Sequence, residues 1–401
     1  MGVWRITISL AIVLVLINVL AWYVGKRAAW ALALPAWARR GLGIVFLLGI
    51  VAAFLARTLT AEHASLAEPL GVFGGAVVLG IGISSVLLVP VELGRFLAAA
   101  LRRLRARLAG TRATPDHSTP PAPARREFIA QVAASSALTV GMGSAAYGTL
   151  FGRHEYTVEH VPIKLEKLPR ALDGLTIVQL SDIHVGTFVG ERELRAAEAL
   201  VRDAKADLVV MTGDLLDHDA HYAPVLARFA RRLEGLARFG VFAVPGNHDH
   251  YAGAPTMMRH LRDAGVEVLL NRHVRVGGPG ASLVLGGLDD VAGPGYHSPG
   301  PDLARTFRDA PGDLARVLLS HNPAYFPTSR THADLTLSGH THGGQISLFI
   351  NTAALVLRHG LVRGHYTVDG SQLYVNRGFG TAGPPARIGS APEVTRLVLT
   401  V

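Results

Sequence analysis

The chain of 401 residues contains no cysteine. That excludes disulfide bridges, a thiol nucleophile, an iron–sulfur cluster and every zinc site built on thiolates. Charge is scarce as well: 17% of residues are Asp, Glu, Lys or Arg, against 49% hydrophobic. Disordered chains show the opposite balance, so the composition points to membrane segments and a packed core instead. Beyond residue 127 there is no net charge at all. Residues 1–127 hold 14 Lys/Arg and 5 Asp/Glu, the whole formal excess of +9, and the remainder has 25 of each sign. A nucleic-acid-binding domain would carry its basic excess on the folded part, so no nucleic-acid partner is expected. Histidine is distributed the other way, with 16 of 18 beyond residue 150.

Four apolar runs occupy the N-terminal third, at residues 6–24, 41–56, 70–91 and 128–151. They are uncharged and without an amphipathic period, as membrane-crossing helices are. Asn18 is the most polar residue within them. Lys26, Arg27, Arg39 and Arg40 follow the first run. Arg57, Glu62 and Glu68 follow the second, and Arg95, Arg102, Arg103, Arg105, Arg107, Arg112, Arg125 and Arg126 follow the third. Positive loops stay in the cytoplasm, so the expected topology is a multi-pass protein of the cell membrane whose C-terminal domain lies outside the cytoplasm. Arg125-Arg126-Glu127-Phe128 reads equally as the end of a basic loop or as an internal twin-arginine signal. The expected organisation is then a membrane region over 1–110, with a basic juxtamembrane helix at 97–108. A Pro-rich flexible linker follows at 111–127, a fourth span or signal anchor at 128–152, and a separate domain at 156–401.

In that last domain, short apolar strands alternate with amphipathic helices, which implies an α/β fold. Five strands run directly into polar clusters: Ser181-Asp182-Ile183-His184, Gly213-Asp214-Leu215-Leu216-Asp217, Gly246-Asn247-His248-Asp249, Ser320-His321-Asn322-Pro323 and Gly339-His340-Thr341-His342-Gly343-Gly344. Ligands gather at the carboxyl ends of strands in such sheets. Asp182 and His184, and likewise His340 and His342, are two residues apart, a spacing that puts both side chains on one side of an extended segment. Carboxylate, imidazole and amide donors without thiolate suit Zn, Mn or Fe(II) better than Mg or Ca.

The ordered set D-x-H, G-D-x-x-D, G-N-H-D, H and G-H-T-H-G-G-Q resembles the calcineurin-like metallophosphoesterases, and is most similar to their membrane-associated bacterial branch. The resemblance covers about residues 156–401. It implies a four-layer α/β/β/α sandwich of two mixed sheets, here preceded by an all-α transmembrane region of about four helices. It also implies that Asp182, His184 and His342 hold one divalent cation, and Asn247, His321 and His340 a second, with Asp214 bridging. His248 would face the scissile phosphate, supported catalytically by Asp249. Two such ions about 3.5–4 Å apart clamp the attacking and leaving oxygens of an in-line displacement, with bridging hydroxide as nucleophile. His248 would then stabilise charge or protonate the leaving oxygen.

Other residues have plainer readings. Asp217 is expected to orient a ligand, and His218, His221 and His250 to be solvated loop residues. Asp289 and Asp290, in Gly286-Gly287-Leu288-Asp289-Asp290, read as a turn or helix cap. Arg377 and Arg387 are surface arginines that could steer a phosphate. The apolar stretch 346–361 reads as core packing or, more sharply, as a wall for a lipid-like leaving group. The function expected from the sequence is hydrolysis of a phosphomonoester, phosphodiester or pyrophosphate, with a lipid-linked or envelope substrate as its sharper form. The rivals are a non-catalytic metal-binding envelope protein and an esterase appended to a membrane sensor or transporter.

Overall fold

The computed structural model describes residues 3–59, 63–108, 125–278, 280–357 and 359–401. Glu62, Arg112 and residues 111–124 of the expected linker lie outside them. The chain forms a helical N-terminal unit and an α/β unit that begins at Leu150.

The helical unit contains α1 (Val3–Ala31), α2 (Ala36–Thr58), α3 (Ala64–Leu108) and α4 (Arg125–Leu150). All four are long and apolar enough to cross a membrane. The basic stretch 97–108 is not the separate surface helix expected from sequence. It continues α3, a single helix of 45 residues with Pro69 and Pro90 inside it. Beyond Pro90 the chain is rich in Leu, Ala and Arg, all strong helix formers, so nothing ends the helix there. Glycines set the packing of these helices: a Cβ on Gly74 would lie 2.2 Å from the backbone nitrogen of Ala53, and one on Gly141 would lie 2.3 Å from Ser84 Oγ. Small residues allow such close approach where water provides no drive for association. Phe46, Ile50, Val77, Ile81, Leu88 and Leu138 fill the interior, while Val15, Val19, Ile44, Leu47 and Val86 point outward. Arg27 donates to Glu92 at 2.6 Å, an ion pair joining α1 to α3.

Among the described residues, the α/β unit contains twelve strands. β1 (Thr157–Lys164), β2 (Thr176–Leu180), β3 (Leu208–Thr212), β4 (Val241–Val244), β5 (Glu267–Val268) and β6 (Arg272–Gly278) come first. β7 (Ala281–Gly287), β8 (Arg316–Leu319), β9 (Leu335–Ser338), β10 (Gly364–Val368), β11 (Ser371–Val375) and β12 (Glu393–Thr400) follow. They form two six-stranded mixed sheets, ordered β1-β12-β2-β3-β4-β5 and β10-β11-β9-β8-β7-β6. β2 to β5 run parallel in the first sheet, and β7, β8, β9 and β11 in the second.

Strand alternation builds the layers. Ile177, Leu208 and Val210 join Leu285, Leu319, Leu337 and Leu397 in the core between the sheets. Val178, Leu180, Val209 and Met211 face the other way. There they meet α5 (Glu191–Ala204), α6 (Ala223–Glu234) and α8 (Ala254–Asp263), which follows the short α7 (Asn247–Ala252). The outer face of the second sheet is covered by α9 (Leu303–Thr306), α10 (Phe326–Ser329) and their loops. The four-layer architecture follows. Leu337 is fully buried between the sheets. Leu337→Ala is expected to lower the unfolding free energy by about 3 kcal/mol, read from denaturant melts of the detergent-solubilised chain by near-ultraviolet circular dichroism.

Candidate metal centre

Parallel β2, β3 and β4 of one sheet and β8 and β9 of the other deliver their carboxyl ends to one place. The chain after β2 stays fastened to the chain after β3: the Asp182 amide donates to the Gly213 carbonyl and the His184 amide to the Asp214 carbonyl, both at 3.0 Å. β2 ends at Leu180, so Asp182 and His184 do not share a side by strand alternation as expected from their spacing. They lie in left-handed backbone, at φ 49° and 52°, and Asp214, His340 and His342 do the same at 51°, 72° and 51°. Each such non-glycine residue costs on the order of 1–3 kcal/mol, strain that concentrates at functional sites. Two glycines permit the closeness. A Cβ on Gly246 would lie 2.3 Å from Asp214 Oδ1, and one on Gly339 would lie 2.2 Å from Asp182 Oδ2.

The side chains then converge in two groups. Asp182, His184 and His342 form one; Asp214, His321 and His340 form the other. In the first, His184 Nε2 and His342 Nε2 stand 3.1 Å apart and His342 Nε2 is 3.3 Å from Asp182 Oδ1. In the second, His340 Nδ1 is 3.2 Å from His321 Nε2, which is also 3.3 Å from Asn247 Oδ1. Asp214 Oδ2 faces both, at 3.8 Å from His184 Nε2 and 3.3 Å from His321 Nε2. Asp182 and Asp214 are almost fully buried.

The donor chemistry fits divalent cations. His321 Nδ1 donates to the Thr212 carbonyl at 2.8 Å, which leaves Nε2 as the nitrogen turned to Asp214, where a proton or a metal ion must lie between them. Burial, then the nearby Arg387 charge, holds His342 well below the ordinary imidazole range; burial and His321 hold His340 below it. Burial also pulls down on His321 and His184, but the Asp214 charge and hydrogen bond raise His321, and the Asp217 hydrogen bond with the Asp214 charge raises His184. Buried carboxylates beside lone-pair nitrogens are stable only when a cation or proton lies among them.

A family model for calcineurin-like phosphoesterases matches residues 175–344. An uncharacterized metallophosphoesterase of Bacillus subtilis (strain 168), YkuE, is 32% identical over 284 residues, covering 69% of this chain and 97% of the relative. The chain belongs to the calcineurin-like metallophosphoesterases. A Danio rerio transmembrane protein with a metallophosphoesterase domain is 34% identical over 277 residues, covering 66% of this chain and 62% of the relative. A Bos taurus protein of the same description is 32% identical over 265 residues, covering 63% of this chain. The chain thus spans less than two thirds of these transmembrane relatives, 62% and 59% of their lengths.

Around the cluster, this metallophosphoesterase departs from its sequence reading at several residues. Asp249 does not support His248. It is fully buried, and its carboxylate accepts from the backbone amides of Leu215, Leu216 and Gly246, tying the β3 and β4 loops together. His248 Nδ1 instead donates to the Asp217 carbonyl at 2.7 Å. The Asp217 carboxylate lies 3.5 Å from His184 Nδ1 and 2.9 Å from His218 Nδ1. Asp217, His184 and His248 make a third metal-compatible grouping, but the proton on His248 Nδ1 is committed to that carbonyl. His218 and His221 are exposed, as expected.

Neither arginine is the free surface residue expected from sequence. Arg387 is buried and donates to the carbonyls of His342, Arg377, Gly378 and Gly380. Arg377 pairs with Glu159 and Glu393. No local signal separates Arg387 from a surface arginine, because its burial depends on the 377–380 segment folding back over it and on His342, 45 residues away. His250 is likewise no solvated residue: it is buried, and its Nε2 is 2.9 Å from Asp289 Oδ1. Asp214→Ala is expected to remove at least half of the bound divalent metal, measured by elemental analysis after gel filtration, with the far-ultraviolet circular dichroism unchanged.

Proposed function

We propose that this chain is a membrane-anchored phosphoesterase that hydrolyses a phosphoric ester at two divalent cations, with its catalytic unit outside the cytoplasm. The observation that carries the reading is the single oxygen, Asp214 Oδ2, facing nitrogens of both donor groups. Asp182, His184 and His342 would hold one ion; Asn247, His321 and His340 would hold the other; Asp214 would join them. Such a pair supplies Lewis acidity and a nucleophile from water at neutral pH. Zn, Mn or Fe(II) suit the nitrogen-rich donor set better than Mg or Ca. His248 is oriented by its Nδ1 bond to the Asp217 carbonyl, so Nε2 is the atom left to exchange a proton with the leaving oxygen. His184 packs edge-on against it at 4.7 Å and limits its rotation.

The apolar stretch 346–361 supports a lipid-linked ester as the finer reading. Phe349, Ile350 and Leu355 are exposed at 75%, 60% and 75%, far above what core packing allows. A cavity of about 290 Å³ is lined by Pro323, Ala324 and His340 together with Leu357 and Leu361. The anchor and the sidedness rest on the four apolar helices and the cations of residues 26–40 and 95–107.

Two measurements test this. The full-length chain in detergent, stripped by chelator and refilled with each metal, is to be assayed on a phosphomonoester, a diester and a lipid pyrophosphate. Hydrolysis is expected to return with Mn, Zn or Fe(II), and to be fastest per mole on the lipid-linked arm. Two bound metals with no turnover on any arm would favour the non-catalytic metal-binding rival. For sidedness, alkaline phosphatase fused after residue 153 is expected to be active in cells and a green fluorescent fusion dark. The opposite pair of results reverses the topology.

A further inference from the structure

The rim of the site beside His248 carries two tyrosines held in an unusually fixed setting. Tyr251 follows His248 by three residues on α7, and its ring lies 5.2 Å from the His248 ring, tilted by 52°. Tyr296 comes from the loop after β7 and meets Tyr251 at 5.3 Å, tilted by 50°. Behind Tyr296, the His250 ring stacks at 6.4 Å and 25°. Both tyrosines remain about half exposed, at 49% and 47%, and Val291 beside them in the same loop is exposed at 48%.

The loop that bears Tyr296 is fastened at almost every turn. Asp289 Oδ1 lies 2.9 Å from His250 Nε2 and accepts from the Asp290 amide; its Oδ2 accepts from Ser298 Oγ and from the Gly300 amide. Asn271 is buried, donates to the Gly300 carbonyl and accepts from the amides of Asp289 and Asp302. Asp290 caps the turn by accepting from the Ala292 amide. The Asp289-Asp290 pair, read from sequence as a simple turn, is the clasp of this loop, and its partner His250 sits on the same short helix as Asn247 and His248. A rim so tied to the catalytic helix presents its exposed rings with little ordering left to lose on binding.

We infer that Tyr251 and Tyr296 form a subsite for a flat aromatic ring, an aryl group or nucleobase, on the leaving-group side of the scissile phosphate. Two tilted, half-exposed rings next to the proton-exchanging histidine leave room for a third ring to pack by offset or edge contact. Such stacking discriminates by shape rather than by hydrogen-bond pattern. The inference rests on the two-cation hydrolase reading above, not on its lipid-linked form, and concerns only the group bound on the His248 side.

The test uses the metal-loaded full-length chain and two phosphate esters whose leaving alcohols are of similar acidity, phenyl and hexafluoroisopropyl. In Tyr251→Leu and Tyr296→Leu the kcat/KM ratio of phenyl to hexafluoroisopropyl ester is expected to fall about tenfold, and in Tyr251→Phe and Tyr296→Phe to stay near that of the parent. A ratio unchanged in the leucine variants overturns the subsite while leaving the hydrolase reading intact. Hydrolysis of neither ester by the parent under any metal overturns both. Inhibition of the unmutated chain by phenylphosphonate against n-hexylphosphonate gives the answer without a substitution. The phenyl compound is expected to bind about tenfold tighter, and equal or weaker binding overturns the subsite.

Discussion

Two buried carboxylates, Asp182 and Asp214, stand among histidine nitrogens with little access to water. The constraint is electrostatic. An ionised carboxylate removed from solvent costs several kcal/mol unless something positive faces it, and the buried Arg387 directs its hydrogen bonds to backbone carbonyls and to His342 Nδ1, not to either carboxylate. The charge of the site is therefore settled by protons or metal ions. Much of the surrounding architecture keeps these donors together. Strained backbone at five of the seven candidate ligand positions holds them inward, glycines let the loops touch, and Asp249 ties two of those loops from beneath.

The two-sheet core supplies the rigidity that this arrangement requires. Strain of a few kcal/mol per site persists only where surrounding packing over-determines it. Here the strands preceding the loops are buried on both faces, between the sheets and against α5, α6 and α8 on one side or α9, α10 and their loops on the other. The ligand loops are short continuations of those strands, so they inherit that order. The rim differs in kind. Tyr251, Tyr296, Phe349 and Leu355 leave large apolar area in solvent, and such exposure next to a polar centre marks contact with something outside the fold. The separation is physical: buried polar groups are gathered at the centre, and exposed apolar groups stand around it.

The spacing of polar clusters after apolar runs made most of the centre legible before any coordinates. Imidazole and carboxylate at strand ends have few other uses, and Asp182, His184, Asp214, His321, His340 and His342 do converge. Reading failed where a partner lies far along the chain. Asp249 seemed to assist its neighbour His248, yet its bonds go to the backbone of 215, 216 and 246. His250 and Arg387 looked solvated, yet each is buried against partners tens of residues away. The geometry within each motif was also misjudged, because left-handed backbone replaces strand alternation in ways that spacing does not reveal.

The sequence by itself determined the class of chemistry, the alternation of strand and helix, and the placement of apolar helices ahead of a neutral, histidine-rich domain. These are properties of residue type and local order, which survive in one dimension. Tertiary structure alone decided that one Asp214 oxygen faces both donor groups, that the Asp217 carbonyl sets the tautomer of His248, and that a clasp of Asp289 with His250 fixes a tyrosine rim. Each depends on which oxygen or nitrogen comes within about 3 Å of another, a distance set by sheet packing and loop strain.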